Sequence, residues 1–334
     1  MEKVLSISIA SYNAANDLPR CLESLIGSTV LDRLEVIIVN DGSKDNTVEV
    51  ANKYIAKYPN SIRLIDKENG GHGSTINATI QVATGKYYKI LDSDDWVDSE
   101  NLALLVSYLE GSDADMVLNP YEEIAFNDHN KKRLLNPNHG IPYNETQPLN
   151  RLNSETVLFM HSLTFKTSVM KQMGSIIDEH CFYVDMEYCV FPMQYIHSFV
   201  CLDYPVYQYL LGSVTQSMNM QNLIKRRDQH LKVTKRLVNF YEASKNKLEK
   251  NVLNLIELRL KYAIYQQYII FLHMNPIEAK TELIEFDRWL RDTSPDIYEG
   301  PTGKIMKYIR FNRNSHFVFF VPCTRIAQRL NVLK

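Results

Sequence analysis

The chain has 334 residues, 45% of them hydrophobic and 23% charged, with a formal net charge of −2. This ordinary globular composition has room for one large α/β domain plus a further segment; the net charge itself says nothing about nucleic acid, and no nucleic-acid partner is expected. Cys21, Cys181, Cys189, Cys201 and Cys323 are scattered without a C-x-x-C pair, which argues against a disulfide framework or structural zinc site and for a reduced, cytoplasmic setting.

The chain enters an apolar strand, Val4 to Ala10, almost at once, so no secretory signal is expected. Short apolar runs follow at Leu34 to Asn40, Ile62 to Asp66, Tyr87 to Leu91 and Met116 to Asn119. Between them lie periodic stretches near Leu18 to Ile26, Thr47 to Lys57, Ile76 to Ala83 and Leu102 to Leu109. This alternation predicts a mostly parallel sheet flanked by helices, with ligands bound beyond the carboxyl ends of the strands.

Those ends carry the suggestive residues. Ser11, Tyr12 and Asn13 follow the first strand, Asp41-Gly42-Ser43 the second, Asn69-Gly70-Gly71-His72-Gly73 the third, and Asp92-Ser93-Asp94-Asp95-Trp96 the fourth. Asp41 to Thr47 also reads as a turn in which Asp45 or Asn46 caps the next helix. The Gly70 to Gly73 loop, before a helix capped by Ser74 or Thr75, either turns the chain or cradles phosphate oxygens with its backbone N–H groups. At Asp92 and Asp94 an apolar run ends in carboxylates, which suits a hard cation such as Mg²⁺ or Mn²⁺ holding a diphosphate, or else an acidic helix cap.

The strings SISIASYNAANDLPRCLESL, LEVIIVNDGSKDNT, ENGGHGSTINATIQVATGKYYKILDSDDW and FYVDMEYCVFPM resemble the family 2 glycosyltransferases of the GT-A fold, across most of residues 4 to 210. The resemblance implies a nucleotide site lined by Ser11, Tyr12, Asn13 and Asp41, with Asp41 accepting from the base and Gly71, His72 and Ser93 nearby. It also implies that Asp92 faces the ribose or the metal, that Asp94 ligates Mn²⁺ or Mg²⁺, and that Asp185 is the base that deprotonates the acceptor. Many relatives carry an arginine where this chain has Ile76; His72 is the candidate substitute donor.

The implied reaction is inverting transfer of a sugar from a nucleotide-sugar donor, UDP-linked, to a hydroxyl of a glycan or lipid-linked acceptor in cell-surface polysaccharide synthesis. Asp185 lies in the aromatic, apolar segment from Phe182 to Glu187, where desolvation is expected to raise its pKa and strengthen it as a base. Glu187 either orients the acceptor or serves a surface or first-turn role. Tyr207 to Ser217 resembles the family's closing loop, with Gln216 and Ser217 reaching the donor, and otherwise reads as an edge strand and polar turn. A sugar nucleotidyltransferase would need a glycine and basic loop after the first strand, where Ser11-Tyr12-Asn13 stands instead; a degenerate scaffold that binds glycan or membrane is the non-enzymatic alternative.

The catalytic domain is expected over residues 1–218 and a helical region over 219–334. In the latter, Ile224, Leu231, Leu237, Val238 and Tyr241 share one helix face, and Val252, Ile256, Arg259, Ala263, Gln267, Ile270 and Met274 share another. Asn275-Pro276 starts a third helix. Tyr262 to Met274 is too short, and too close to Glu257, Arg259 and Lys261, for a bilayer span. From Pro301 to Lys334 the chain has Lys304, Lys307, Arg310, Arg313, Arg325, Arg329 and Lys334 and no acid. With Ile305, Met306, Tyr308, Ile309 and the run His316 to Val321, that tail suits peripheral contact with anionic lipid at the inner membrane face, or a helix packed on its own domain.

Overall fold

Seven residues from Leu5 to Ser11 (β1) run through the middle of a parallel block formed with Leu34–Asp41 (β2), Ile62–Lys67 (β3) and Tyr87–Asp92 (β4). β1 and β2 are almost wholly buried, which suits the continuous Val36–Val39 run of β2 and the small serines that alternate with Leu and Ile in β1. In this computed structural model residues 2–152, 156–212, 216–300 and 302–330 are described. The crossovers are the helices Leu18–Ile26 (α1), Thr47–Lys57 (α2) and His72–Ile80 (α3). The last begins earlier than its periodicity predicts: Gly71, at φ 80°, is its N-cap, rather than Ser74 or Thr75.

After β4 come Trp96–Val97 (β5) and the helix Ser99–Gly111 (α4), whose N-cap Asp98 accepts from Asn101 N–H. Met116–Leu118 (β6), Tyr121–Ala125 (β7), Asp128–Leu135 (β8), Gln147–Pro148 (β9) and Leu163–Lys166 (β10) follow. Then come the helices Thr167–Met173 (α5) and Asp185–Val190 (α6), and the strands Ser198–Cys201 (β11) and Tyr207–Leu211 (β12). The main sheet has the order β3-β2-β1-β4-β10-β6-β11-β9, with β10 antiparallel to both β4 and β6, so it is mixed. A second sheet, β5-β12-β7-β8, was not foreseen, and it corrects the edge-strand reading of Tyr207 to Leu211: β12 is paired on both sides.

The chain divides into two compact units, Met1–Ser213 and Val214–Lys334. The second is helical: Met220–Lys225 (α7), Arg227–Ser244 (α8), Lys250–His273 (α9), Pro276–Thr293 (α10), Pro295–Glu299 (α11), Lys304–Asn314 (α12) and Phe320–Arg329 (α13). The α9 face expected from the sequence is buried, including Arg259 and Gln267, and Asn275 caps α10 by accepting the Ile277 N–H. Asp287 is a polar hub of this unit, taking hydrogen bonds from Tyr268, Tyr298 and both ends of the Arg313 guanidinium. Ile305, Met306 and Ile309 are core residues too, so that part of the basic tail packs on its own unit. No described helix is long and apolar enough to cross a membrane.

Candidate active site

Register brings the strand ends to one rim. Ala10 pairs with Asp92, Ser11 with Asn40, Asn40 with Asp66 and Asp41 with Lys67, so the loops after β1, β2, β3 and β4 leave the sheet together. Ser11 is buried and its hydroxyl has no hydrogen-bond partner among the described residues, whereas Tyr12 is exposed. Asn13 sits at φ 51°, donates its N–H to Ser43 Oγ and accepts the Lys44 N–H, tying the first loop to the second. Asp45 completes the tie: it accepts from Ala15 N–H and Thr47 N–H, while Asn46, the formal N-cap of α2, makes no side-chain cap.

Asp41 does something the sequence did not suggest. Its buried carboxylate accepts the N–H groups of Gly70 and Gly71, each at 2.8 Å, together with Lys67 Nζ at 3.0 Å and the Ser74 hydroxyl at 3.2 Å. The two glycine amides proposed as a phosphate cradle are therefore committed to Asp41. The loop is also closely packed from the other side: His180 N–H donates to Gly70 carbonyl, and a Cβ on Gly73 would collide with the Asp178 carbonyl.

At the end of β4, ligand atoms of Asp92, Asp94 and Asp95 lie within 4.8 Å of one another. Asp92 and Asp94 are half-buried and Asp95 is fully buried. Burial and the charge of Asp92 push the Asp94 carboxyl up to about 6. Asp92 is also raised by burial, with His72 opposing and Asp185 adding to the shift. His72 Nε2 lies 3.4 Å from Asp92 Oδ1, one helical turn before Ile76, which is buried.

Asp95 went unassigned in the sequence, yet it holds the loop in place. Its carboxylate accepts from the Tyr207 hydroxyl at 2.6 Å and from Leu210 N–H at 2.8 Å, and burial beside Asp94 and Asp92 raises its pKa strongly. The same Tyr207 hydroxyl accepts the Asp92 N–H at 3.1 Å. Arg20 donates to the Asp94 carbonyl and stacks over Trp96, 4.4 Å from the ring centre. Asp92 and Asp94 remain as the carboxylates able to meet a cation. Their oxygen chemistry and mutual repulsion fit Mn²⁺ or Mg²⁺.

Asp185 is the first residue of α6 and is partly exposed. Its charge is felt both at Asp92 and at Tyr209, whose ring is also influenced by Asp92, Asp94 and Asp95. Glu187, two residues on, is fully buried and accepts the Asp178 N–H at 2.8 Å, which corrects the surface reading; it anchors the loop behind the glycines. His180 and Tyr183 in that loop adopt φ 51° and 67°, a strained setting for non-glycine residues. Ser93 lies between the two site aspartates and is half-buried. Gln216 falls in the second unit, where its carbonyl accepts from Asn219 N–H and Asn222 Nδ2. Residues 213–215 of the expected closing loop lie outside the described residues.

A parallel block with its loops joined at one rim, and an acidic group at the end of its fourth strand, has the GT-A glycosyltransferase fold. S. aureus TarS residues 1–349 in complex with UDP shares that fold at a TM-score of 0.64 and 15% identity, over 98% of this chain and 92% of that one. The mannosyltransferase PcManGT of Pyrobaculum calidifontis, in complex with GDP-Man and Mn²⁺, gives a TM-score of 0.51 at 13% identity, over 98% of this chain and 87% of that one. The family model described as Glycosyl transferase family 2 matches residues 6–174, about half of the chain, and the chain belongs to that family. The chondroitin synthase of Pasteurella multocida is 46% identical over 101 residues, 30% of this chain and 10% of that protein. The uncharacterized glycosyltransferase YibD of Escherichia coli is 48% identical over 93 residues, 28% of this chain and 26% of that protein. The matches thus span no more than about a quarter of either relative's length.

Proposed function

We propose that this chain transfers a sugar, with inversion, from a UDP-linked donor to a hydroxyl of a glycan or lipid-linked acceptor during polysaccharide synthesis. The observation that carries the reading is the Asp92, Asp94 and Asp95 group at the rim of the sheet, with the charge of Asp185 acting on Asp92. The names of similar proteins support it: a chondroitin synthase, and TarS with UDP or UDP-GlcNAc.

In this reading Asp94, helped by Asp92, holds Mn²⁺ or Mg²⁺. When bound, the cation offsets the charge that builds on the departing nucleoside diphosphate. Ser11, Tyr12 and Asn13 border the nucleoside, and Asp41 shapes the Gly70–Gly71 wall beside it, with its role toward the base to be tested in the same site. His72, with its Nε2 3.4 Å from Asp92 Oδ1, supplies a donor on the side where relatives carry arginine. Asp185 takes the proton from the acceptor hydroxyl as that oxygen attacks the anomeric carbon, so a single displacement inverts the configuration.

The direct experiment measures UDP release from a panel of UDP-sugars with a mixed acceptor pool, with Mn²⁺ and with chelator, and determines the anomeric configuration of the product. Metal-dependent release with an inverted product is expected. No release from any donor, together with no metal-dependent UDP binding, would leave the scaffold alternative in its place.

A further inference from the structure

The second unit carries a surface of a kind the transfer reaction does not need. Between residues 302 and 330 there are the basic residues Lys304, Lys307, Arg310, Arg313, Arg325 and Arg329 and no aspartate or glutamate. Two of these cations serve the fold: Arg313 is bound to Asp287, and Arg310 donates to the Glu299 carbonyl. Lys304, Lys307, Arg325 and Arg329 are exposed, and neither Arg325 nor Arg329 has a carboxylate partner among the described residues.

Large apolar side chains are exposed among them. Phe311 and Phe319 stack with ring centres 6.4 Å apart while each is at least half exposed, and Val318, Ile326 and Leu330 are more than half exposed. On α13 the apolar and cationic residues adjoin at one-turn spacing, Arg325 with Arg329 and Ile326 with Leu330. Arg325 and Arg329 also line a cavity of about 570 Å³ with His273, Asn275 and Gln328, and exposed Ile277 stands beside it in sequence. Gln328 fixes that wall by donating to the carbonyls of Leu272 and Met274.

We infer that this face of α12 and α13 docks on a bilayer surface rich in anionic phospholipid, with Phe311, Phe319, Ile326 and Leu330 entering the interface and Arg325 and Arg329 receiving lipid phosphate. Apolar side chains of this size favour the boundary between headgroups and acyl chains, and interleaved cations add attraction that a neutral surface does not offer. A second copy of the chain is the less suitable occupant, because a two-fold contact through this patch would set arginines against arginines. The inference is independent of the donor and acceptor assigned above.

The test uses the full chain and vesicles of phosphatidylcholine, alone or mixed with phosphatidylglycerol. Sedimentation with the mixed vesicles only, reversed by high salt, is expected. Arg325→Gln with Arg329→Gln should weaken partitioning about tenfold or more, since each cation near an anionic surface contributes attraction of comparable size. Phe319→Trp should show a blue-shifted emission on the mixed vesicles, and UDP release with a soluble acceptor should be unchanged in the double variant. Equal binding to neutral vesicles, no binding to either, displacement by millimolar glycerol phosphate, or loss of a dimer in the double variant without any membrane effect would each overturn the proposal.

Discussion

The Tyr207 hydroxyl donates to Asp95 at 2.6 Å and accepts the Asp92 N–H at 3.1 Å, so one phenol of the second sheet fixes both ends of the acidic loop at the end of the first. Tyr207→Phe removes that link and leaves the buried Asp95 carboxylate with the Leu210 N–H but without its hydroxyl donor. A stability loss of about 1–3 kcal/mol is expected from the missing bond. Chemical denaturation gives the loss, and titration calorimetry should show weaker Mn²⁺-dependent UDP binding.

Asp94→Asn should keep the fold and lose metal-dependent nucleotide binding. Replacing an anionic oxygen by an amide removes a hard ligand and part of the repulsion that raises the carboxyls of this group. The check is UDP binding with and without Mn²⁺: an unchanged metal dependence would remove Asp94 from the proposed ligand set.

For Asp185→Asn the expected outcome is a kcat lower by about 10²–10⁴ with donor affinity within a few-fold of the parent, because general-base assistance acts on the acceptor. Turnover at the parent rate would exclude it as the base.

Asp41→Asn tests the glycine loop. An amide keeps one accepting oxygen but sets its NH2 against a donor at the other place, the Gly71 N–H if the oxygen stays with Gly70 and Lys67, and it removes the charge that Lys67 pairs with. Breaking a buried, charged network of this sort costs about 3 kcal/mol. Hydrogen exchange should localise the loosening to residues 68–74.

Lys89, in the middle of β4, is buried, donates to the carbonyls of His161 and Leu163, and is lowered by burial from 10.5 to about 7. Between those pH values the unfolded chain holds a proton that the folded chain lacks, so folding stability should rise with pH across that window. Lys89→Met has no such group. The difference in melting temperature, parent minus variant, should therefore increase from pH 7 toward pH 10, and a flat difference would show that the ammonium stays charged in the fold.

Much of the first unit is legible because its signals are local. The ends of α1 and α2 match the periodic stretches, and β1 to β4 stand out as short apolar segments, most fully in β2, whose eight residues are all buried. The strand β8 is different: Asp128 to Arg133 are exposed and carry no alternation, so only its pairing with β7 makes it a strand. In the site, Asp92 and Asp94 announce themselves by the abrupt change from apolar to acidic. The Asp95 partner lies 112 residues away, and a lysine inside an apolar run gives no sign that distant carbonyls will receive it. The Asp41 link to the glycines was hidden for the same reason, since its partners are 29 and 30 residues downstream.

That last link has a kinetic meaning. The Gly70–Gly71 turn is held by Asp41 with no small molecule bound, so in the proposed nucleotide site little ordering is left to be done at this wall on encounter. The entropic penalty of capture should be correspondingly small there, and swapping Gly71, at φ 80°, for an alanine should show up first as a slower arrival rate rather than a faster departure.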